Sequence, residues 1–185
     1  SHAAIKQALK IASKVTYYEQ SVEKIHTLRL PKFDIITCFD TLEHIWDFKQ
    51  VLSQCFNILK LDGILVISAP NPKSLGLSQK WWQWYGFRDN SHIWFLSPVE
   101  WETQLKLTGF IPVKQYFSGL LDPPYYPIIP SVVQVILFKY LTQLLSITGF
   151  PLGEKFGTTQ FIVAIKNAHW EKLSLNHFPD IRVFT

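Results

Sequence analysis

The pattern of hydrophobic and polar positions is clearest between Phe33 and Asn71, where two apolar runs flank one amphipathic run. Phe33 to Phe39 is a short, mainly apolar run with β-branched members, which is typical of a parallel strand covered on both faces. Ile64 to Ala69 is the second apolar run. Between them, apolar residues recur at helical spacing after Asp47, at Phe48, Val51, Leu52, Cys55, Phe56 and Leu59. The pattern predicts a βαβ unit, with Gly63 in the left-handed position that ends the helix.

Polar side chains follow both predicted strands. Asp40, Thr41, Glu43 and His44 come directly after the first strand, and Asn71 follows the second. In open α/β sheets ligands bind beyond the carboxyl ends of the strands. We therefore expect these residues to lie together on the edge of the sheet where the chemistry takes place.

Further elements follow from capping and periodicity. Ser97, Pro98 and Glu100 form an N-cap, a first-turn proline and a capping box, which predict a helix to about Thr108. Pro112 indicates an edge position for the strand that contains it. The remaining predictions are strands at Val15 to Tyr18, Phe110 to Phe117 and Thr159 to Lys166, and a helix at Ser131 to Thr148.

Composition excludes some classes of protein. The chain has 185 residues, of which 48% are hydrophobic and 17% are charged, with a formal net charge of +4 and no run of like charges. Nucleic-acid binding requires a concentrated basic face, so a nucleic-acid partner is not expected. Cys38 and Cys55 occupy apolar positions, which is typical of buried reduced thiols in a cytoplasmic protein. The chain contains no methionine, so we expect it to be either a processed form or a piece of a longer protein.

The segments FDIITCFDTLEHIWD and LKLDGILVISAPN resemble class I S-adenosylmethionine-dependent methyltransferases, in particular the small-molecule group that includes the ubiquinone-biosynthesis O-methyltransferases. Leu61-Asp62-Gly63 replaces the family's Pro-Gly-Gly. The resemblance implies an α/β, Rossmann-like sheet, mostly parallel with its last strand antiparallel. No G-x-G motif occurs, so we expect the sheet in this chain to lack the family's first two strands. Residues 1–185 are then a single partial domain, the C-terminal two-thirds.

The resemblance also implies roles for individual residues. S-adenosylmethionine is the expected cofactor, with Ser21 and Val22 on its adenine side, where the family often has an Asp at the first position. Asp40, Thr41 and Leu42 are expected to contact it, and His44 is the candidate general base. A divalent ion held by Asp40, Glu43 and His44 is an alternative. A third interpretation is that Glu43 and His44 only cap or orient the following helix.

Two segments concern the acceptor and other partners. Residues 74–97 are rich in aromatics, which either form a second small core or line a substrate pocket with Asn71, Trp84, Tyr85 and His92. Residues from about 118 to 155 read as a helical insertion or lid. Three interpretations compete for its helix at 131–148: packing on the domain, contact with a membrane surface or lipid-like substrate, and a homodimer interface.

The sequence therefore predicts a methyltransferase that acts on a small acceptor of hydrophobic or aromatic character. The competing hypothesis is a catalytically silent methyltransferase-like module that makes partner or membrane contacts. The expected location is the cytoplasm, with a membrane-peripheral variant if the helix at 131–148 contacts lipid.

Overall fold

The computed structural model describes residues 2–11, 15–75, 77, 85–120, 128–148 and 153–167. The chain divides into two compact units, Ser1–Pro31 and Lys32–Thr185. The first unit contains helix α1 (His2–Ile11) and the 3-10 helix Val22–Leu28.

The prediction of a strand at Val15 to Tyr18 is wrong, because residues 16–21 have no regular secondary structure. A strand needs a neighbouring strand for its backbone hydrogen bonds, and no strand pairs with this run among the described residues.

The second unit is built on one four-stranded sheet. Its strands are β1 (Phe33–Phe39), β2 (Leu59–Pro70), β3 (Phe110–Leu120) and β4 (Gly157–Lys166). Its helices are a 3-10 turn at Leu42–His44, α2 (Phe48–Ile58), α3 (Tyr85–Arg88), α4 (Pro98–Leu107) and α5 (Ser131–Thr148).

The strand order is β1-β2-β4-β3. β1 and β2 are parallel, whereas β4 runs antiparallel to both of its neighbours, β2 and β3. Three strands therefore share one direction and the last strand opposes them. This confirms the expected Rossmann-like sheet and the edge position of the strand that contains Pro112.

The helices form for the reasons that the sequence indicates. The Asp47 carboxylate accepts a hydrogen bond from the Gln50 backbone amide at 3.0 Å and so caps α2. The capping box of α4 is complete, since the Ser97 hydroxyl and the Glu100 carboxylate each bond to the other residue's backbone amide. The helix predicted at Ser131 to Thr148 is confirmed as α5.

The residues expected to form the turn between α2 and β2 lie inside β2, which begins at Leu59, at an irregularity in its pairing with β1. The left-handed residue is Asp62, with φ of 58°, and not Gly63. A Cβ added to Gly63 would lie 2.9 Å from the Lys60 carbonyl oxygen and 3.2 Å from that of Asp34. Glycine is therefore required here because two backbone segments approach closely, not because the turn needs a positive φ.

The core lies between the sheet and the helices α2 and α4. Phe48 of α2 packs edge-on against Trp101 of α4 at 5.1 Å between ring centroids, and Phe56 packs against Phe110 at 5.4 Å. Lys166, at the end of β4, donates hydrogen bonds to the carbonyl oxygens of Phe56, in the last turn of α2, and of Leu59, the first residue of β2. Cys38 and Cys55 are buried, as predicted, and are not joined by a disulfide bond.

Candidate functional site

A cavity opens at the carboxyl ends of β1 and β2, where the sequence predicts a ligand edge. Its volume is about 280 Å³. The residues that line it come from the ends of three strands, the 3-10 turn and the segment after α3: Asp40, Glu43, His44, Pro70, Asp89, His92 and Thr159. Three of these seven carry carboxylates and two carry imidazoles, which are groups that transfer protons or attract cations.

Asp40 fixes the end of β1 against β2. Its φ is +43°, a left-handed conformation that is uncommon outside glycine. Its backbone amide donates to the Ser68 backbone and side-chain oxygens at 3.2 and 3.0 Å. The Ser68 hydroxyl in turn donates to Asp40 Oδ1 at 2.9 Å. These bonds hold the backbone where the chain leaves the sheet and turns into the cavity wall.

The 3-10 turn Leu42–His44 is anchored on both sides. Leu42 is fully buried in the core, and Glu43 is also 0% exposed. The Glu43 carbonyl oxygen accepts from the backbone amides of Ile93 and Trp94 at 2.8 and 3.1 Å. This contact brings the segment after α3 onto the turn, and the His44 and His92 rings lie 4.6 Å apart between centroids.

The Glu43 carboxylate is buried without a hydrogen-bond partner for either oxygen among the described residues. Burial raises its pKa, and the nearby Asp40 charge adds to the rise, whereas its own backbone amide, His44 and His92 oppose it. A buried carboxyl group that lacks partners destabilises the fold unless it keeps its proton or gains a cationic or donor partner. The Glu43 carboxyl group could therefore interact favourably with a cationic or hydrogen-bond-donating ligand.

Each imidazole is held through its Nδ1 atom. His44 Nδ1 lies 2.9 Å from the Ser91 hydroxyl, and His92 Nδ1 lies 2.6 Å from the Gly86 carbonyl oxygen. The Ser91 hydroxyl also lies 2.5 Å from Asp89 Oδ1. This hydrogen bond is the main reason that the pKa of Asp89 is lowered, so the carboxylate stays ionised.

In the first unit, Ser21 precedes the 3-10 helix Val22–Leu28. Its hydroxyl lies 3.4 Å from Glu23 Oε2. Ser21 also borders a cavity of about 400 Å³, whose other lining residues are Ile5, Tyr18, Glu19 and Gln20.

Comparison with known proteins identifies the family. A family profile described as "Methyltransferase domain" matches residues 1–115. The chain belongs to this family. It is a class I S-adenosylmethionine-dependent methyltransferase domain, which confirms the resemblance in residues 33–71.

Individual relatives match shorter stretches. The ubiquinone biosynthesis O-methyltransferase of Glaesserella parasuis is 50% identical over 40 residues, which are 22% of this chain and 17% of that protein. The enzyme of the same name from Actinobacillus pleuropneumoniae is 35% identical over 68 residues, 37% of this chain and 29% of that protein. The matches thus span less than a third of these curated relatives.

Solved structures share the fold. A SAM-dependent methyltransferase from Archaeoglobus fulgidus has a TM-score of 0.59 at 20% identity, with 90% of this chain and 73% of that chain covered. A putative methyltransferase from Bacillus halodurans has a TM-score of 0.56 at 15% identity, with 90% and 77% covered. At these identities the likeness supports the architecture of the methyltransferase domain.

In the structure of this methyltransferase domain, the set of possible metal ligands differs from the predicted set. Among the described residues, Glu43, His44 and His92 bring one potential ligand atom each within 4.8 Å of one another, whereas Asp40 is not part of this group. The Asp40 carboxylate instead accepts from Ser68. Two ligands that each lie about 2.1 Å from one ion are at most about 4.2 Å apart. The three side chains would therefore have to contract to close on one ion.

Asn71 lies at the same edge but is fully buried. Its Nδ2 donates to the carbonyl oxygens of Glu154 and Gly157 at 2.7 and 2.8 Å, and its Oδ1 accepts from the Lys73 amide. A substrate that bound this side chain would have to replace one of these bonds. Among the other predicted acceptor residues, His92 lies in the cavity wall, whereas the side chains of Trp84 and Tyr85 lie outside the described residues.

Sequence reasoning missed two polar members of the site. Asp89 and Thr159 line the cavity, although neither was predicted as a site residue. The signal for Asp89 is present in the run Asp89-Asn90-Ser91-His92, which places a carboxylate, a hydroxyl and an imidazole beside each other between aromatic residues.

The buried carboxyl of Glu43 gives a prediction for stability. Because its pKa is raised in the folded state, the native protein binds this proton more tightly than the unfolded chain does. Its contribution to stability is therefore present below the ordinary Glu value of 4.5 and is lost as the pH rises through the folded-state pKa. Glu43→Gln removes this loss, so we expect its melting temperature relative to the parent protein to increase with pH.

Melting curves of both proteins between about pH 4.5 and pH 8 test this expectation. The lowered pKa values of Asp34, Asp89 and Glu100 produce the opposite trend, but they act equally in both proteins and cancel in the difference. A difference in melting temperature that does not change with pH would contradict the assignment of a buried carboxylate.

Proposed function

We propose that this domain transfers the methyl group of S-adenosylmethionine to a hydroxyl oxygen of a small hydrophobic or aromatic acceptor. The observation that carries the proposal is the cavity at the carboxyl edge of the methyltransferase sheet. It places the imidazole of His44 beside three carboxylates, those of Asp40, Glu43 and Asp89.

The donor set of this cavity fits the cofactor. S-adenosylmethionine supplies a methyl group on a positively charged sulfonium centre. A concave site with three acidic side chains and no lysine or arginine among its described lining residues attracts such a cation. We infer that the backbone at Asp40, Thr41 and Leu42 faces the cofactor.

On the acceptor side, His44 acts as the general base. The acceptor oxygen forms a bond to the methyl carbon while the bond between this carbon and sulfur breaks, and the electron pair stays on sulfur. The imidazole of His44 takes the acceptor's hydroxyl proton, a role that suits histidine near neutral pH. His92, Asn71, Trp84 and Tyr85 are proposed to serve the substrate side of the same edge.

Much of the remaining rate comes from positioning and from exclusion of water. The segment after α3 contributes to both. Trp94 donates its indole N–H to the Ile45 carbonyl oxygen at 2.9 Å and packs edge-on against Phe48 at 5.3 Å. This holds His92 and Asp89 over the 3-10 turn, so the cavity wall is fixed to the core.

Helix α5 supports the hydrophobic character of the acceptor or its carrier. No described helix is long and apolar enough to cross a membrane. One half of the circumference of α5 nevertheless exposes apolar side chains: Val132, Val133, Ile136, Leu137, Tyr140, Leu141, Leu144 and Ile147. We favour contact with a lipid-like substrate or membrane surface for this face, and a homodimer interface is the competing proposal.

Calorimetric titration with S-adenosylhomocysteine, followed by turnover assays with phenols that carry alkyl chains of increasing length, tests the proposed function. We expect cofactor binding, methylation of the phenol oxygen and a KM that falls as the alkyl chain lengthens. Cofactor binding without turnover on any hydroxyl compound would contradict the choice of acceptor. Absence of binding by a longer form of the protein that supplies the G-x-G loop would favour the silent module.

A further inference from the structure

One short segment, from Gly86 to His92, contacts both imidazoles of the site. The Gly86 carbonyl oxygen lies 2.6 Å from His92 Nδ1. A carbonyl oxygen accepts hydrogen bonds and never donates, so the hydrogen must be on His92 Nδ1. When this imidazole is neutral, its lone pair is therefore on Nε2.

The contact of Ser91 with His44 requires one more step. The Ser91 hydroxyl carries a single hydrogen, and its oxygen lies 2.5 Å from Asp89 Oδ1 and 2.9 Å from His44 Nδ1. An ionised carboxylate accepts only, so the serine hydrogen points to Asp89. The serine oxygen then accepts from His44, which requires a hydrogen on His44 Nδ1.

We propose that Asp89 and Ser91 are positioning residues, which hold neutral His44 with its hydrogen on Nδ1 and so place the lone pair on Nε2. In the proposed methyl transfer, on which this second role rests, Nε2 is the atom that takes the acceptor's proton. An imidazole held in the wrong tautomer presents a hydrogen to the acceptor hydroxyl instead of a lone pair.

The hydrogen bond between the Ser91 hydroxyl and Asp89 is not needed to close the turn. The turn itself is closed by the backbone amide of Ser91, which donates to Asp89 Oδ1 at 2.9 Å. Substitution of Ser91 by alanine leaves that bond in place and removes only the hydroxyl. Ser91→Ala therefore separates the effect on His44 from the effect on the turn.

The test reads the tautomer directly. Long-range nitrogen–proton NMR correlations of isotope-labelled histidine distinguish a hydrogen on Nδ1 from one on Nε2. The chain has six histidines, and the loss of one signal set in His44→Gln assigns His44. At about pH 8, where an ordinary histidine is neutral, we expect the parent protein to show His44 with its hydrogen on Nδ1.

In Ser91→Ala and in Asp89→Asn we expect His44 to show a mixture of tautomers, whereas Ser91→Thr keeps the hydroxyl and the parent spectrum. Ser53→Ala, at an exposed position of α2, is the matched control. For methyl transfer we expect kcat of Ser91→Ala to fall about tenfold, with the KM for S-adenosylmethionine within about twofold.

The two halves of the proposal fail in distinguishable ways. A hydrogen on His44 Nε2 in the parent protein, or a spectrum unchanged in Ser91→Ala, would overturn the positioning role. A change of tautomer in Ser91→Ala without any change in kcat would overturn the catalytic half and locate the failure in the role proposed for His44.

Discussion

Replacement of His44 by alanine is expected to lower kcat for a hydroxyl acceptor by about 100-fold or more, because a positioned general base contributes on that scale. The imidazole of His44 lines the cavity, and Ser91 holds its Nδ1. Among the described residues, His92 is the only other imidazole in the cavity wall. The affinity for S-adenosylhomocysteine should change by less than about twofold, since His44 is not proposed to hold the cofactor.

Acceptors of different acidity distinguish the role of a general base from other roles of His44. A phenol that is already ionised at the assay pH needs no base, so its methylation should be reduced far less by His44→Ala than that of an un-ionised phenol. Lys49→Ala, at an exposed position of α2, is the control for substitution as such. An equal loss for both kinds of phenol would show that His44 acts by orienting the acceptor or by holding an ion, and not as a base.

The fold of the second unit was predictable because its signals are local. Asp47 and Ser97 cap the helices that they precede, and the apolar runs that become β1 and β2 need no information from elsewhere in the chain. The edge of the sheet follows from the same runs, since Asp40 and His44 come directly after one of them. The resemblance in residues 33–71 then added the family.

The burial and the hydrogen-bond partners of the side chains in the site were not predictable, because they depend on packing between distant segments. The Glu43 carboxylate is buried, with no hydrogen-bond partner among the described residues, because residues 92–94 fold over the 3-10 turn, and the backbone amides of Ile93 and Trp94 bond to the Glu43 carbonyl oxygen. The same packing brings Asp89 and Ser91 to His44, across a separation of more than 40 residues. No periodicity or capping rule in the sequence encodes such a contact.

The two errors in the fold have related causes. Val15 to Tyr18 carries the β-branched and aromatic residues of a strand, but a strand forms only where a neighbour supplies hydrogen bonds. Gly63 carries the residue type of a left-handed turn, but the close approach of the Lys60 and Asp34 carbonyl oxygens requires glycine there, and Asp62 takes the positive φ. In both places residue type indicated a preference that the tertiary structure overrode.

A continuous aromatic cluster links the core to the site. Trp101 of α4 packs against Phe48 of α2, and Phe48 packs against Trp94, which hydrogen-bonds to the chain just after His44. Packed interiors transmit changes in volume because they contain few voids. The position of the segment that carries Asp89 and His92 should therefore depend on the packing around Trp101.

Trp101→Ala is accordingly expected to have the largest effect on stability, a loss of about 3–5 kcal/mol in the free energy of unfolding. The side chain is 0% exposed, so the substitution leaves a cavity beneath α2 and α4. Trp101→Phe should be much less destabilising for two reasons. It keeps an aromatic partner for Phe48, and it removes an indole N–H that is buried without a partner among the described residues. Urea unfolding of the three proteins measures both differences. Equal losses for alanine and phenylalanine would show that the indole N–H makes a stabilising contact, which would contradict the packing derived for this cluster.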